Sequence, residues 1–166
     1  MIYGYPGRNR EGTGEPVAHL RQGSATEPGH TNTVLALAFD SSGKILASAG
    51  SDATAILWNR DGDTFRHRQT LRGHTGEIHA LAFTPNGSQL VTAGWNTLSG
   101  ALDGTLRVWD VASGAQVSMF SGPAASSPIS AMAIHPEGQS VVIGREDGAL
   151  LQLDLRNPAQ IPPTPL

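Results

Sequence analysis

Short runs of apolar residues, separated by polar turns that contain glycine, recur along most of the chain. The first run is apolar at Val34, Leu35, Leu37 and Phe39, and the turn "DSSGK" joins it to a second run over 44–49. Apolar positions with a period of two are typical of half-buried strands, and a glycine in a short polar link favours a hairpin. The pattern therefore predicts short antiparallel strands joined by tight turns.

The pattern occurs three times. Two copies begin with "GHT" at Gly29 and Gly73, and a third, more divergent copy begins at Ala124. His30 and His74 lie 44 residues apart, a period typical of the four-stranded blades of β-propellers. Each copy predicts a first strand, a second strand, a third strand ending at Trp58, Trp109 or Leu153, and a more polar fourth strand at 65–71 or 116–120.

The second copy contains an insertion, because the distance from Thr92 to the tryptophan of its third strand exceeds the matching distance in the first copy by 7 residues. The extra residues belong to "GWNTLSGAL", between Thr92 and Asp103. A tryptophan beside apolar residues in a loop is typical of an interface anchor. Trp95 is therefore a candidate anchor, and the alternative is that its ring folds back onto its own blade.

Composition supports an all-β chain of one domain. The 166 residues include 20 glycines and 11 prolines, with 39% hydrophobic and 15% charged residues, as expected for many short strands and turns. The net charge of −3 argues against a nucleic-acid partner. The sequence has no apolar run of the length that a signal peptide or a spanning helix needs, so we expect a soluble, cytoplasmic protein with no membrane partner.

Four residue types recur in the same order in the first two copies. They are a histidine before the first strand, a hydroxyl residue on the second, an aspartate in the next turn and a tryptophan on the third: His30, Ser48, Asp52 and Trp58, then His74, Thr92, Asp103 and Trp109. A buried indole N–H needs an acceptor, and an aspartate can fix the tautomer of a buried histidine. The set resembles the WD-repeat β-propeller family, and this resemblance implies a hydrogen-bonded chain inside each blade.

The third copy departs from this set. Its corresponding residues are Ala125, Ile143, Asp147 and Leu153, so that only the aspartate is kept. Replacing all the hydrogen-bonding partners with apolar groups leaves nothing unsatisfied except Asp147, which can face solvent. We interpret this copy as a degenerate blade.

The resemblance covers about residues 29–155, as part of a propeller segment at 17–155. We predict a flexible N-terminal segment at 1–16, a closing outer strand at 17–21, blades at 29–72, 73–121 (with the insertion at 95–101) and 124–155, and a proline-rich tail at 156–166. Three blades are too few for a closed ring. Either the chain is part of a larger propeller whose N-terminal blades are missing, or two chains form a six-bladed ring in which Val17–Arg21 of each completes the other's last blade.

Catalytic motifs are absent from the sequence. There is no HExxH, GxSxG or Walker sequence, and "EGTGEPV" lacks the third glycine of a dinucleotide-binding loop. We therefore expect no enzyme activity, cofactor or metal site, with a hydrolase built on a His–Asp pair as the remaining enzymatic alternative. Arg66, Arg68 and Arg72 are predicted on one face of a fourth strand, where they either bind an anion or protect a sheet edge.

The resemblance implies that partners dock on the face that carries the turns into the first strands. The candidate residues on this face are Thr33, Leu35, Ser51, Glu77, His79, Trp95, Leu102, Pro128, Ser130 and Glu146. Their mixed character suits a protein or peptide. The predicted function is a non-catalytic interaction scaffold, and the alternative is the sensor or regulatory part of a larger signalling protein or enzyme.

Overall fold

The computed structural model of the protein describes residues 29–95, 103–121, 127–156 and 164–165. These residues form strands and turns. The strands are β1 (Val34–Phe39), β2 (Ile45–Gly50), β3 (Thr54–Asp61), β4 (Thr64–Arg72), β5 (Ile78–Phe83), β6 (Gln89–Gly94), β7 (Leu106–Asp110), β8 (Gln116–Phe120), β9 (Ile129–Ile134), β10 (Ser140–Arg145), β11 (Leu150–Asp154) and β12 (Thr164–Pro165).

The strands form three antiparallel sheets in chain order: β1–β4 make blade 1, β5–β8 make blade 2 and β9–β12 make blade 3. This arrangement confirms the predicted all-β class with four-stranded blades. Across the described residues, no helix has the length and apolar character needed to cross a membrane.

The hairpin between the first two strands is the same turn in every blade. Gly43, Gly87 and Gly138 all have φ close to +70°, a left-handed conformation that glycine adopts without strain. Each glycine N–H donates to the carbonyl oxygen three residues earlier, at 2.7–3.0 Å. The sequences "DSSGK", "TPNGS" and "HPEGQ" thus encode equivalent turns.

The blades pack face to face. We call the face that carries Trp58, Trp109 or Leu153 the leading face of its blade, and the opposite face, which carries Leu57, Val108 or Gln152, the trailing face. The trailing face of blade 1 and the leading face of blade 2 share one buried cluster. The trailing face of blade 2 and the leading face of blade 3 share a second. The core therefore lies between neighbouring blades, and the innermost strands β1, β5 and β9 follow one another along the array.

The outer edge of blade 3 carries a strand that was not predicted from the sequence. β12 pairs with β11 through the register pairs Leu151–Pro165 and Gln152–Thr164, so two residues of the tail supply the fourth strand. The sequence predicted a closing outer strand at Val17–Arg21 instead; this segment lies outside the described residues, and its role stays a prediction.

Candidate partner-binding face

One rim of the three blades is built by the same backbone hydrogen bond in each. The residue after the second strand donates its N–H to the carbonyl oxygen of the connection into the first strand. The donor and acceptor are Ser51 and Thr33 at 2.9 Å, Trp95 and Glu77 at 2.7 Å, and Glu146 and Pro128 at 3.1 Å. Six predicted binding-face residues therefore occupy two equivalent positions per blade.

Three more predicted residues lie two positions further along the chain, at or near the starts of the innermost strands. Leu35 and Ser130 are exposed, and His79 is half-buried. The tenth predicted residue, Leu102, lies outside the described residues. The structure thus brings nine of the ten candidates to the same end of the blades.

Side-chain contacts within this set join Glu77, His79 and Trp95 of blade 2. The rings of His79 and Trp95 stack with their centroids 4.5 Å apart and 16° between their planes. His79 Nε2 lies 2.9 Å from Glu77 Oε2, and since the carboxylate accepts, Nε2 carries the hydrogen. About a third of the Glu77 and His79 side chains is exposed (31% and 30%). We call these three residues the aromatic rim cluster.

The backbone beneath the rim cluster is tightly packed. A Cβ atom on Gly76 would lie 2.3 Å from the carbonyl oxygen of Trp95. Only a residue without a side chain allows the connection before β5 to approach the end of β6 this closely. The ring of Trp95 is half-buried and contacts its own blade through His79.

A chain of hydrogen bonds between buried side chains runs through blade 2 next to its rim. Trp109 Nε1–H donates to Thr92 Oγ1 at 2.8 Å, and Thr92 Oγ1 lies 2.7 Å from His74 Nε2. His74 Nδ1 lies 2.8 Å from Asp103 Oδ2. The carboxylate accepts from Nδ1–H, and the Thr92 hydroxyl pairs with the other ring nitrogen, Nε2. All four side chains are buried.

Blade 1 contains the same chain. Trp58 Nε1–H donates to Ser48 Oγ at 2.8 Å, and Ser48 Oγ lies 2.8 Å from His30 Nε2. His30 Nδ1 is 3.0 Å from Asp52 Oδ2. The two sets predicted from the sequence are therefore each brought together in one blade.

Sequence reasoning missed a fifth member of each set. The hydroxyl of Thr54 donates to Asp52 at 2.7 Å, and the hydroxyl of Thr105 donates to Asp103. The backbone N–H that follows each histidine also donates to the aspartate. The signal was present in the sequence, because a threonine follows each aspartate by two positions in "DAT" and "DGT".

Both aspartates are held in the charged form. Burial would raise the pKa of the Asp103 carboxyl, but hydrogen bonds from His74, Thr105 and the Thr75 N–H outweigh it, and the pKa lies far below its usual range. The pKa of Asp52 is lowered by the equivalent donors against the same opposing effect of burial. Each carboxylate thus ties the connection into the first strand to the start of the third strand.

Blade 3 has the rim hydrogen bond but lacks the buried hydrogen-bonded chain of blades 1 and 2. Ile143 and Leu153 are buried in the cluster shared with blade 2. Asp147 is exposed, and its carboxylate accepts from Arg145 and from the Ala149 N–H at 3.1 Å. The backbone N–H of Asp147 donates to Ser127 Oγ at 3.2 Å. Ala125, which the spacing aligns with the histidines, lies outside the described residues.

The buried histidines offer little for catalysis. Both ring nitrogens of His30 and of His74 are engaged in hydrogen bonds within their blades, so neither ring presents an available base to solvent. In the described ranges, no group of three or more histidine, aspartate or glutamate side chains is arranged to hold a metal ion.

The arginines of β4 do not share one face. A register shift between Leu57 and Trp58 places Arg66 and Arg72 on opposite faces of the blade, against the expectation from simple alternation. Arg66 pairs with Asp61 at 2.9 Å, and Arg68 reaches the carbonyl oxygen of Ala112 in blade 2 at 3.4 Å. They do not form one anion-binding row.

Three comparisons with known proteins complete the description. A family model described as "WD domain, G-beta repeat" matches residues 21–59 and 65–110. The crystal structure of the C-terminal WD40 domain of Sif2 is similar, with a TM-score of 0.63 and 22% sequence identity over 78% of this chain and 34% of that one. The chain thus spans about a third of that domain's length. No curated protein matches the chain in sequence.

Proposed function

Because the chain belongs to the WD40 repeat family, we propose that it is a non-catalytic scaffold that binds a protein or a peptide on the rim that carries Glu77, His79 and Trp95. Membership of the family supports a role in protein–protein interaction in general terms. The observation that carries the specific proposal is the aromatic rim cluster, in which a half-buried tryptophan stacks on a histidine that a glutamate orients.

The rim cluster has the properties of an interface anchor. Interfaces are enriched in tryptophan and tyrosine because these rings bury a large apolar area and lose little conformational entropy. The stack on His79 holds the Trp95 ring in place before a partner arrives, which lowers the entropic cost of binding. The neighbouring Glu77 carboxylate supplies an acceptor for a partner's hydrogen-bond donors.

The remaining rim positions support a peptide or protein partner more than a small anion. Blade 1 contributes Thr33 and Ser51, and blade 3 contributes Pro128 and Glu146 at the equivalent positions. Among the described residues, the rim therefore combines aromatic, hydroxyl and acidic groups and holds no cluster of cations of the kind that a phosphate would need. Such a mixture is typical of interfaces with polypeptides.

The proposal can be tested by comparing partner capture by three forms of the full chain. Tagged wild-type protein, Trp95→Ala and Lys44→Ala are used in affinity purification with quantitative mass spectrometry. Lys44 is an exposed residue near the hairpin at the opposite end of blade 1, so its substitution is the matched control. Recovered partners are then titrated against each form.

We expect Trp95→Ala to weaken partner binding at least about 30-fold, as for an interface hot spot, and to leave the thermal unfolding midpoint close to that of the wild type. Lys44→Ala should bind like the wild type. A partner whose binding is insensitive to Trp95→Ala but lost in Lys44→Ala would contradict the proposal, because it would place recognition at the opposite end.

A further inference from the structure

The hairpin turn of blade 2 contains a residue pair that the other two turns lack. Asn86-Gly87 is the one Asn-Gly pair in the sequence, and it occupies the positions of Ser42-Gly43 in blade 1 and Glu137-Gly138 in blade 3. All three turns have the same glycine conformation and the same backbone hydrogen bond. Since serine and glutamate also fit, the turn itself does not require the exposed amide of Asn86.

The side-chain amide of an asparagine can react with the backbone of the next residue. The Gly87 nitrogen loses its proton and attacks Asn86 Cγ, so that a C–N bond forms, the Cγ–Nδ2 bond breaks and ammonia leaves with the proton. Water then opens the five-membered imide at either of its carbonyl groups and gives an aspartate or an isoaspartate. The net change converts an amide and water into a carboxylic acid and ammonia. A glycine at the second position favours the attack, because no Cβ shields its nitrogen.

The closed turn holds the attacking nitrogen in a hydrogen bond. Gly87 N–H donates to the Thr84 carbonyl oxygen at 2.8 Å, and Thr84 N–H donates to the Gln89 carbonyl oxygen at 2.9 Å on the strand side of the turn. The Gly87 nitrogen is therefore part of the backbone pairing that closes the hairpin, and the attack requires that this pairing open first.

The side chain of Asn86 is held as well. Asn86 Oδ1 accepts from the Thr84 hydroxyl at 2.8 Å, from the Ser88 N–H at 3.1 Å and from the Ser88 hydroxyl at 2.9 Å. A backbone N–H can only donate, so the atom that faces it is the amide oxygen. Thr84 is 4% exposed, and its hydroxyl oxygen accepts from the Gln89 N–H at 3.1 Å. Residues on both sides of the turn thus fix the carbon that would be attacked.

We propose that Asn86 is a site of spontaneous deamidation, that the closed hairpin between β5 and β6 protects it, and that it reacts when the turn opens. The reaction needs no enzyme, and water is the one co-reactant. Local opening of an exposed turn requires less free energy than unfolding of the whole domain. The modified fraction therefore records how often this hairpin opens, whether or not the rim binds a polypeptide.

Modification would prevent the turn from closing in its original form. In isoaspartate the main chain passes through Cγ and gains one methylene group between residues 86 and 87, so the hydrogen bond between Gly87 and Thr84 cannot keep its geometry. Both products also add a negative charge beside blade 1, since a Cβ on Gly87 would lie 3.8 Å from Asp40 Oδ2, and like charges repel. The same hairpin carries the aromatic rim cluster at its other end.

The deamidation rate of Asn86 is measured on the full chain by peptide mapping with mass spectrometry, which detects the conversion of the amide and separates isoaspartate from aspartate by retention time. The chain is incubated in one mildly alkaline buffer, without urea and with enough urea to unfold it. Thr84→Val removes a hydroxyl that donates to Asn86 Oδ1, and Ser88→Ala removes the other. Lys44→Ala, at the position of Ser88 in the turn of blade 1, is the matched control. Far-UV circular dichroism checks that each variant is folded without urea.

In urea, Asn86 should deamidate at the same rate in all four forms, because the turn is absent. Without urea, the wild-type rate should be at least about 10-fold lower, which corresponds to about 1.4 kcal/mol of opening free energy. Thr84→Val should raise the rate in the folded protein about 2- to 10-fold, as expected for the loss of one hydrogen bond. Ser88→Ala should raise it about 2-fold, because its hydroxyl is exposed, and this variant carries the test if Thr84→Val does not fold. Lys44→Ala should match the wild type.

Any of three results would overturn the proposal. If Asn86 is not converted in the unfolded chain, it is not a modification site. If the folded chain reacts as fast as the unfolded chain or faster, the turn does not protect Asn86, and the donors to Oδ1 instead stabilise the charge that develops during the attack. If neither Thr84→Val nor Ser88→Ala changes the rate in the folded protein, the contacts of the Asn86 side chain do not control the reaction.

Discussion

Replacing Thr92 with valine would test the hydrogen-bonded chain of blade 2 at its centre. The hydroxyl of Thr92 accepts from Trp109 Nε1–H at 2.8 Å and lies 2.7 Å from His74 Nε2. Valine has nearly the same shape as threonine but neither donates nor accepts a hydrogen bond. The substitution therefore leaves the indole N–H and the imidazole nitrogen without partners while it creates almost no cavity.

The expected loss follows from the burial of these groups. Thr92 is 0% exposed, and both of its partners are buried, so water cannot replace the hydroxyl. A buried polar group left unsatisfied costs about 1–3 kcal/mol. With two such groups, Thr92→Val should lower the free energy of unfolding by about 2–6 kcal/mol, a large part of the about 5–15 kcal/mol typical of a domain.

Urea unfolding, followed by far-UV circular dichroism at one fixed protein concentration, measures this loss. Thr92→Ser keeps the hydroxyl and serves as the control, with an expected loss of only about 1 kcal/mol for the missing methyl group. In a double-mutant cycle, Thr92→Val should cost less in the Trp109→Phe background, because the donor is then already absent. If the free energy of unfolding of Thr92→Val were within about 0.5 kcal/mol of the wild-type value, the hydrogen-bonded chain would not stabilise the blade.

Further substitutions and pH test the other contacts. Folding lowers the pKa of Asp103 below the ordinary value of 3.8. The stability that its carboxylate contributes is therefore present above that pH and is lost as the pH falls towards the folded pKa. Urea midpoints measured between pH 6 and pH 2.5 should fall in the wild type, and less steeply in Asp103→Asn. Gly94→Ala should lower the free energy of unfolding by about 1–3 kcal/mol in the same urea assay, because the new Cβ would lie 2.6 Å from the Asp103 carboxyl carbon. An unchanged midpoint would mean that the backbone around Asp103 can shift to make room. Gly114→Ala should lower the thermal unfolding midpoint more than Gly148→Ala. Both glycines have positive φ, but only a Cβ at position 114 would collide with Gln69. The Gln69 side-chain amide donates to the Ser113 carbonyl oxygen of blade 2 at 2.9 Å. Equal midpoints would show that this contact adds no stability.

The buried part of the site could be predicted because the fold fixes both residue type and spacing there. An indole, a hydroxyl, an imidazole and a carboxylate can satisfy one another only when strand pairing brings them together, and the repeat places them at the same positions in blades 1 and 2. For this reason the hydrogen-bonding partners of Trp58 and Trp109 could be predicted from the sequence. The glycines of the hairpin turns could be predicted for a similar reason, since a positive φ disfavours most other residues.

Other features depend on contacts that no local pattern encodes. The stack of His79 on Trp95 arises because β5 and β6 pair, which brings together residues 16 positions apart in the sequence. The arginines of β4 change face at a register shift, and alternation cannot show where such a shift falls. The exposure of Leu37 could not be predicted either, since its sequence position matches that of the partly buried Leu81.

A comparison of the three blades separates the residues that folding requires from those that it leaves open. Blade 3 replaces the polar chain with Ile143 and Leu153, yet its rim hydrogen bond matches those of the other two blades. The rim geometry therefore depends on backbone pairing and tolerates different side chains above it. At the position after the second strand, serine, tryptophan and glutamate occur in blades 1, 2 and 3. Because two smaller or more polar residues meet the same backbone requirement, the rim hydrogen bond by itself does not require an indole at Trp95. The stack on His79 holds the ring in place, and the proposed function gives this half-buried ring a role in binding.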